Sequence, residues 1–436
     1  MSRSPRSPKG KSKEQPKGTE TSAPEKAPES AKAVSDKAPR KAPAKAKAAP
    51  DAAKPAPPVK EVQAAAEPAA PVAPVPEKKI NIQYPQTIEE AGTIVAKAAG
   101  DLMSVVPAGH LTRLHDSPAV SRAVAVVLST RDLTRVVSVE PDNLLAIVEA
   151  GLTPDEVDEA LKPTGLYWPV TGLGQRTLGA IMAEGALGVE TMARGSMLDW
   201  VLGSSFITAE GKLVESGGRT LKNVTGYDYT RLAWRSFGRL GLCVRFILKL
   251  IPRPAMNPVL EVAVDKPADG AALAREIILS KMGPEALRLD YSPNGAALLV
   301  WLAGFPEVVA AKKAKVEEMA GSRTITVHDD GRAFWSERSK KWPASTPAIS
   351  GFMGSRQAVL DMAGKLGGGT IAGVLKADID VGGGRAYLEL EESVSSEGTA
   401  KTVGLTPDRF TATGLVYERL KKGIDPGDLF FPAKLL

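Results

Sequence analysis

Three glycine-bearing stretches hold the residues whose types and spacing suit one particular chemistry. They are AGHLTRLH (108–115), PVTGLGQRTLGAIMAEGALG (169–188) and SGGRTLKNVTGYDYTRL (216–232), the last followed by SFGRLGL (236–242). Glycines clustered after a strand let main-chain N–H groups approach phosphate oxygens with no Cβ in the way. The third stretch adds Arg219, Lys222, Asp228 and Arg231. Taken singly, each stretch also reads as an ordinary turn or surface loop. Other chemistries are sparsely supplied. The one cysteine, Cys243, excludes an intrachain disulfide, a four-thiolate zinc site and a chain-borne iron–sulfur cluster, and reads as a buried strand residue. The three histidines, His110, His115 and His328, show neither His-x-His nor His-x-x-x-His spacing, so a His-rich metal site is not supported. His328 reads as a strand-end surface residue, and Tyr167, Trp168, Trp335 and Trp342 read as packing residues.

Loops of this kind need regular elements to hold them. Order is expected from about Ile80. Thr87-Ile-Glu-Glu90 is a capping-box pattern, and Ile88, Ala91, Ile94, Val95 and Ala98 follow at helical spacing, which predicts a helix over 88–99. MSVVP (103–107) reads as a short buried strand before the first glycine stretch. Further strands are predicted at 124–128, 135–139 and 144–150, the last two joined at Pro141-Asp142-Asn143. Thr153-Pro154 with Glu156 starts a helix that ends before Gly165. A hairpin follows the second glycine stretch, VLGSSFITA–EG–KLVESG. In the strand at 240–252, Leu242, Val244, Phe246, Leu248 and Leu250 share one face, and Cys243, Arg245, Ile247 and Lys249 the other. From about 257, strands alternate with helices predicted at 268–281, 306–320, 331–340 and 355–365, the pattern of an α+β unit with a mostly antiparallel sheet. The last stretch, from Val416, reads as a short helix stopped at Asp425-Pro426.

Charge divides the chain. Residues 1–80 hold 17 Lys+Arg and 9 Asp+Glu, a net of +8, which leaves 39 basic and 41 acidic residues for the rest, a net of −2. The basic balance therefore belongs to the tail, and no specific nucleic-acid partner is expected of the remainder. The tail also has 15 of the 34 prolines and no aromatic residue, so it is expected to stay disordered. It reads as a solubilising linker or as an electrostatic tether to acidic lipid, nucleic acid or a partner. No run of ~18 apolar residues and no secretory h-region is evident, and a cytoplasmic protein is the simplest expectation.

Gly217-Gly218-Arg219, Lys222-Asn223-Val224, Gly226-Tyr227-Asp228 and Arg231-Leu232 occur in order with SFGRLGL, the hairpin before them and EAGLTPDEVDEALKPTGLYWP upstream. In these strings the chain resembles the FAD-binding subunits of bacterial glycolate oxidase, within the vanillyl-alcohol-oxidase-type (PCMH-type) FAD-binding family. DDGRAFWSERSKKWP (329–343) and YERLKKGIDPGDLFFPAK bring the likeness nearest to the smaller, second FAD-binding subunit of that oxidase. The resemblance covers about 81–436 and is best over 144–254. It implies an α+β fold, with a disordered Ala/Pro/Lys-rich tail at 1–79 and a two-lobed FAD-binding domain at 80–254. A smaller α+β cap domain at 255–436 follows, whose C-terminal segment returns to the FAD domain. It implies FAD held between the lobes. The first loop then maps to Pro107, Gly109, Thr112 and Arg113. The second maps to Thr177, Leu178, Gly179 and Gly185, with Gly195 and Asp199 further on. The third maps to Lys222, Asn223, Gly226, Tyr227, Asp228, Ser236, Gly238 and Gly241.

The chain departs from the family pattern at His110, Leu111, Ala180, Glu184, Leu187, Phe237 and Arg239. Bulk at those positions blocks the backbone's approach to phosphate unless the side chains point away, in which case Arg239 is available to pair with one. Three functions follow. The chain is an accessory flavoprotein subunit of a glycolate- or lactate-type 2-hydroxy acid dehydrogenase, partnered by a catalytic flavoprotein subunit and an iron–sulfur subunit. Alternatively it is a scaffold that kept the fold and lost FAD, or a self-sufficient FAD oxidase or dehydrogenase. Peripheral membrane association, through such a complex or the basic tail, stays open. No catalytic residue is assigned.

Overall fold

The first helix among the described residues is Ile88–Gly100, and its start shows how local chemistry sets the frame. Thr87 Oγ1 accepts from the Glu90 amide at 3.1 Å, as predicted. The Glu90 carboxylate reaches the Gln86 amide at 2.7 Å, so only half of the expected capping box forms. The computed structural model describes residues 81–111, 125–219, 228–341, 349–366, 371, 374–391, 399, 402, 405–407, 422, 424, 425, 427, 429 and 430. The expectations for the basic tail, most of the terminal helix and Trp342 fall outside these residues.

The first strands are β1 (Asn81–Gln83), β2 (Ser104–Ala108), β3 (Ala125–Ser129), β4 (Val136–Glu140) and β5 (Leu145–Glu149). Then come β6 (Leu166–Tyr167), β7 (Val201–Ile207), β8 (Leu213–Gly217), β9 (Leu242–Lys249) and β10 (Ile251–Pro252). Strands β1, β3 and β2 form a parallel sheet in that order. An antiparallel sheet follows with order β4-β5-β9-β7-β8, and β6 pairs with β10.

Strand β9 is central because both of its faces are covered. Leu242 and Val244 pack with the first helix and the parallel sheet, alongside Val105, Leu128 and Ile207. Cys243, Phe246 and Leu248 pack with Val157 and Leu161 of the helix Pro154–Leu161 and Leu178 of the helix Leu178–Glu184. The predicted face is kept by Phe246, Leu248 and Leu250, but Leu242 and Val244 pack on the opposite side and Cys243 on the side of Phe246, because the ladder to β7 shifts register between Ser205 and Phe206; Cys243 is buried as expected. The helix Pro154–Leu161 has the full capping box, with Thr153 Oγ1 accepting from the Glu156 amide at 3.3 Å and Glu156 Oε2 from the Thr153 amide at 2.7 Å.

The C-terminal half is one antiparallel sheet. Its strands are β11 (Val259–Val264), β12 (Ala286–Ser292), β13 (Gly295–Trp301), β14 (Ile325–His328), β15 (Ile349–Met353), β16 (Val374–Asp380), β17 (Arg385–Leu390) and β18 (Thr406–Pro407). The order is β14-β11-β13-β12-β16-β17-β15-β18. One face, with Leu260, Val262, Leu289, Val300, Ile379 and Leu388, packs against the helices Pro267–Leu279, Pro306–Ala320 and Arg356–Lys365. The alternate residues put Arg288, Asp290, Asp378, Asp380 and Arg385 on the other face, with Val259, Leu299 and Trp301. There the helix Gly331–Lys341 supplies Trp335, and the N-terminal half supplies Val189.

The chain's late residues return to its early ones. The Val105 amide donates to the Leu429 carbonyl at 2.8 Å, and buried Asp425 accepts from the Leu429 and Phe430 amides at 2.9 and 2.8 Å. No helix among the described residues is long and apolar enough to cross a membrane.

Candidate functional site

Strands β2, β3 and β9, the helix Leu178–Glu184 and the turn at 236–241 converge on one narrow cleft. Its walls are Pro107, Ala108, Gly109, Thr130, Gly179, Ala180, Ala183, Ser236, Gly238, Gly241, Leu242 and Cys243. Parts of the first two glycine stretches thus meet the segment 236–242 that follows the third, and six residues assigned from sequence, Pro107, Gly109, Gly179, Ser236, Gly238 and Gly241, line one space.

The glycines are sterically required at the points of closest approach. A Cβ on Gly109 lies 2.4 Å from Thr177 Oγ1. Gly238 has φ +72°, and a Cβ there lies 2.8 Å from Pro107 Cγ. With no Cβ at these points, the wall segments pack directly on one another. Cys243 lies on the same wall, and burial pushes its thiol far up, so it stays a neutral packing group.

Of the departures from the family pattern, only Ala180 is among the walls of this cleft, whose volume is about 60 Å³. Neither His110 nor Leu111 is among its walls. His110 Nδ1 donates to the Gln175 carbonyl at 2.8 Å, which turns the ring aside and places the proton on Nδ1. Leu111 has φ +62°, so the chain turns sharply at that point. Phe237 has φ +52°, its amide donates to the Ala183 carbonyl at 2.9 Å, and its side chain is also absent from the walls. Arg239 is buried, and it too stands outside the cleft lining.

The other assigned residues have different surroundings. Thr177 N-caps the helix Leu178–Glu184, accepting from the Ala180 amide at 3.2 Å. Leu178 is core, and its amide and that of Gly179 donate to Leu152 and Ala150 carbonyls at 2.8 and 2.9 Å. This helix therefore gives the cleft a packing surface, its first amides being taken within the chain. Gly185 closes the helix at φ +65°. Gly195 and Asp199 form a separate turn, where Asp199 Oδ2 accepts from the Ser196 amide at 2.8 Å. Asp228 is exposed and caps the helix Tyr229–Ala233 through the Arg231 amide at 3.1 Å. Thr112, Arg113, Lys222, Asn223, Gly226 and Tyr227 lie outside the described residues. Sequence reasoning did not single out Thr130, Ala183 or Leu242 as wall residues. Only the serine–threonine end of the apolar run AVVLST hinted at Thr130.

A second cavity, of about 570 Å³, lies beside β14 and the helix Gly331–Lys341, lined by His328, Asp329, Asp330, Ala333, Phe334, Glu337 and Arg338. His328 Nε2 is 2.9 Å from Glu261 Oε2, and its ring is 4.5 Å from that of Phe334. Arg338 pairs with Asp290 and lies 3.8 Å from Asp378, which Arg288 contacts at 2.7 Å. Burial, then the charge of Asp378, pushes the Asp290 carboxyl up to about 7, against the pull of Arg338 and Arg288. Among the described residues no group of three or more His, Cys, Asp and Glu is placed to hold a metal ion.

Residues 81–217 match the family model described as FAD binding domain, and FAD is the cofactor of that domain. The chain is 26% identical over 212 residues to the glycolate oxidase subunit GlcD of Bacillus subtilis, which covers 48% of this chain and 45% of that protein. It is 31% identical over 217 residues to the D-lactate dehydrogenase of Archaeoglobus fulgidus, 50% of this chain and 48% of that one. It is 26% identical over 325 residues to the glycolate oxidase subunit GlcE of Escherichia coli, 69% of this chain and 84% of that one. The chain thus spans less than half the length of the first two of these relatives. Its fold is similar to that of a solved alkyldihydroxyacetonephosphate synthase, with a TM-score of 0.62 and 17% identity over 81% of this chain and 75% of that one.

Proposed function

We propose that this chain is an FAD-dependent oxidoreductase subunit of a glycolate- or lactate-type 2-hydroxy acid dehydrogenase complex, in the place of the smaller, second FAD-binding chain. The observation that carries this is the meeting of Gly109, Gly179, Gly238 and Gly241 around one cleft. Bound there, FAD supplies two-electron and one-electron redox chemistry. The chain's own part is to bind and orient it, with the eight-stranded sheet and its helices acting as the cap. With one cysteine, the chain depends on a partner for any iron–sulfur cluster, and electrons pass between this subunit and that partner.

An accessory role is favoured over a self-sufficient dehydrogenase by the charge pairing on the cap sheet. Arg288 and Arg338 are held by Asp378 and Asp290, so an incoming carboxylate competes with the chain's own aspartates. The scaffold reading loses its motive, since His110, Leu111 and Phe237 stand clear of the cleft. Purification followed by an absorbance scan and acid release of the cofactor tests the proposal. A yellow protein that releases FAD, and is inactive alone on glycolate or D-lactate with an artificial acceptor, is expected. A colourless protein that takes up no added FAD refutes it.

A further inference from the structure

We infer that Arg332, remote in sequence from every cleft residue, is a positioning residue for the flavin cleft, acting through Glu190 on the wall formed by residues 171–190. The inference rests on the FAD reading above and names a determinant of how tightly that cofactor is held.

Arg332 lies in the helix Gly331–Lys341 with its guanidinium almost fully buried. Its Nη1 is 3.3 Å from Glu190 Oε1, and its Nη2 is 2.9 Å from Asp158 Oδ1. Arg253 takes the other side of Asp158 at 2.9 and 3.2 Å. The Tyr167 ring packs against both guanidiniums, 4.5 Å from that of Arg332 and 5.8 Å from that of Arg253. Two cations and two carboxylates thus pair in one cluster, buried at Arg332 and Glu190 and partly exposed at Arg253 and Asp158, and removing Arg332 leaves Glu190 buried without its counter-charge.

Glu190 transmits the effect. Burial pushes its carboxyl up, and Arg332 is the largest influence holding it down. Its Oε2 accepts from the Thr171 amide at 2.8 Å, and the Val189 amide donates to the Thr171 carbonyl at 3.0 Å. The two ends of the stretch 171–189 are therefore pinned together. Between them lie Thr177, which packs on Gly109, and the helix whose Gly179, Ala180 and Ala183 line the cleft. Other contacts from the C-terminal half reach the same region: Ser339 Oγ accepts from the Gly174 amide at 3.1 Å, and Glu285 is bidentate to Arg194 at 2.8 Å. Among the carboxylates that meet an arginine across this boundary, Glu190, at 1% exposure, is more deeply buried than Glu285, at 6%. Without Arg332 the buried Glu190 carboxylate loses its counter-charge, its hold on the Thr171 N–H weakens, and the wall relaxes away from Gly109.

The test compares the full chain with Arg332→Met, Arg332→Lys, Glu190→Gln and the Met/Gln double variant. The FAD dissociation constant is read by quenching of flavin fluorescence, and the melting temperature is read on the apoprotein. Arg332→Met and Glu190→Gln each weaken FAD about tenfold. The double variant loses no more than Arg332→Met, and Arg332→Lys recovers part of the loss. Unchanged FAD affinity in folded Arg332→Met or in folded Glu190→Gln, with only a lower apoprotein melting temperature, overturns the inference and leaves Arg332 as plain packing between the halves. If the unsubstituted chain takes up no FAD, the cofactor reading itself fails, and the inference with it.

Discussion

Replacing Gly238 by alanine separates cradle geometry from general stability. Gly238 has φ +72°, where an L-residue carries a backbone cost of ~1–2 kcal/mol. Its added Cβ also falls 2.8 and 2.9 Å from Pro107 Cγ and Cβ, and forcing such an overlap costs ~1–3 kcal/mol. The two together come to about 2–5 kcal/mol. Pro107 is itself a cleft wall, so the part that pushes it acts on FAD as well as on the fold. Gly165 provides the control, because its φ of +67° is nearly the same and nothing lies within 4 Å of where an added methyl would sit. Gly165→Ala is expected to lose ~1 kcal/mol of urea-measured stability and keep its FAD affinity. Gly238→Ala is expected to lose more, and its FAD dissociation constant to rise at least tenfold, equal to ~1.4 kcal/mol at the cleft. The assay pairs urea titration of the apoprotein with flavin-fluorescence titration. Equal stability losses with FAD affinity intact in both variants refute the cradle.

Three further outcomes follow from single sites. Asp290 has a folded-state value of about 7, above an unfolded ~3.9, so its contribution is fully present below about 4 and is lost as pH rises through about 7. Asp290→Asn should flatten the fall in urea-measured stability across that window, and an unchanged pH slope counts against it. Cys243, buried and with its thiol pushed up, should react with a thiol reagent only after denaturation, so rapid labelling of the native chain contradicts its placement. Phe246→Ala empties the middle of β9 and should cost ~3–5 kcal/mol by urea denaturation; a loss under ~1 kcal/mol is incompatible with its burial.

What the sequence made legible was local. The Thr153–Glu156 box, the hairpin turning at Glu210-Gly211 and the helix Pro306–Ala320 follow from caps, turn residues and periodicity within a few residues. The glycine turns were likewise visible, because a positive φ restricts the residue that holds it. The parallel pairing of β1, β3 and β2 was not visible, since register between distant strands leaves no short-range pattern. Nor was the escape of His110, which depends on a carbonyl at Gln175, 65 residues away. The Arg332–Glu190–Asp158 cluster joins residues 142 and 174 positions apart, and three charged residues so spaced look solvated in a linear reading.

The tie between Val105 and Leu429 bears on how the protein is made. Strand β2, which leads into the Pro107–Gly109 wall, is translated more than 300 residues before Leu429. On a nascent chain the Val105 amide therefore lacks this partner until Leu429 has been made.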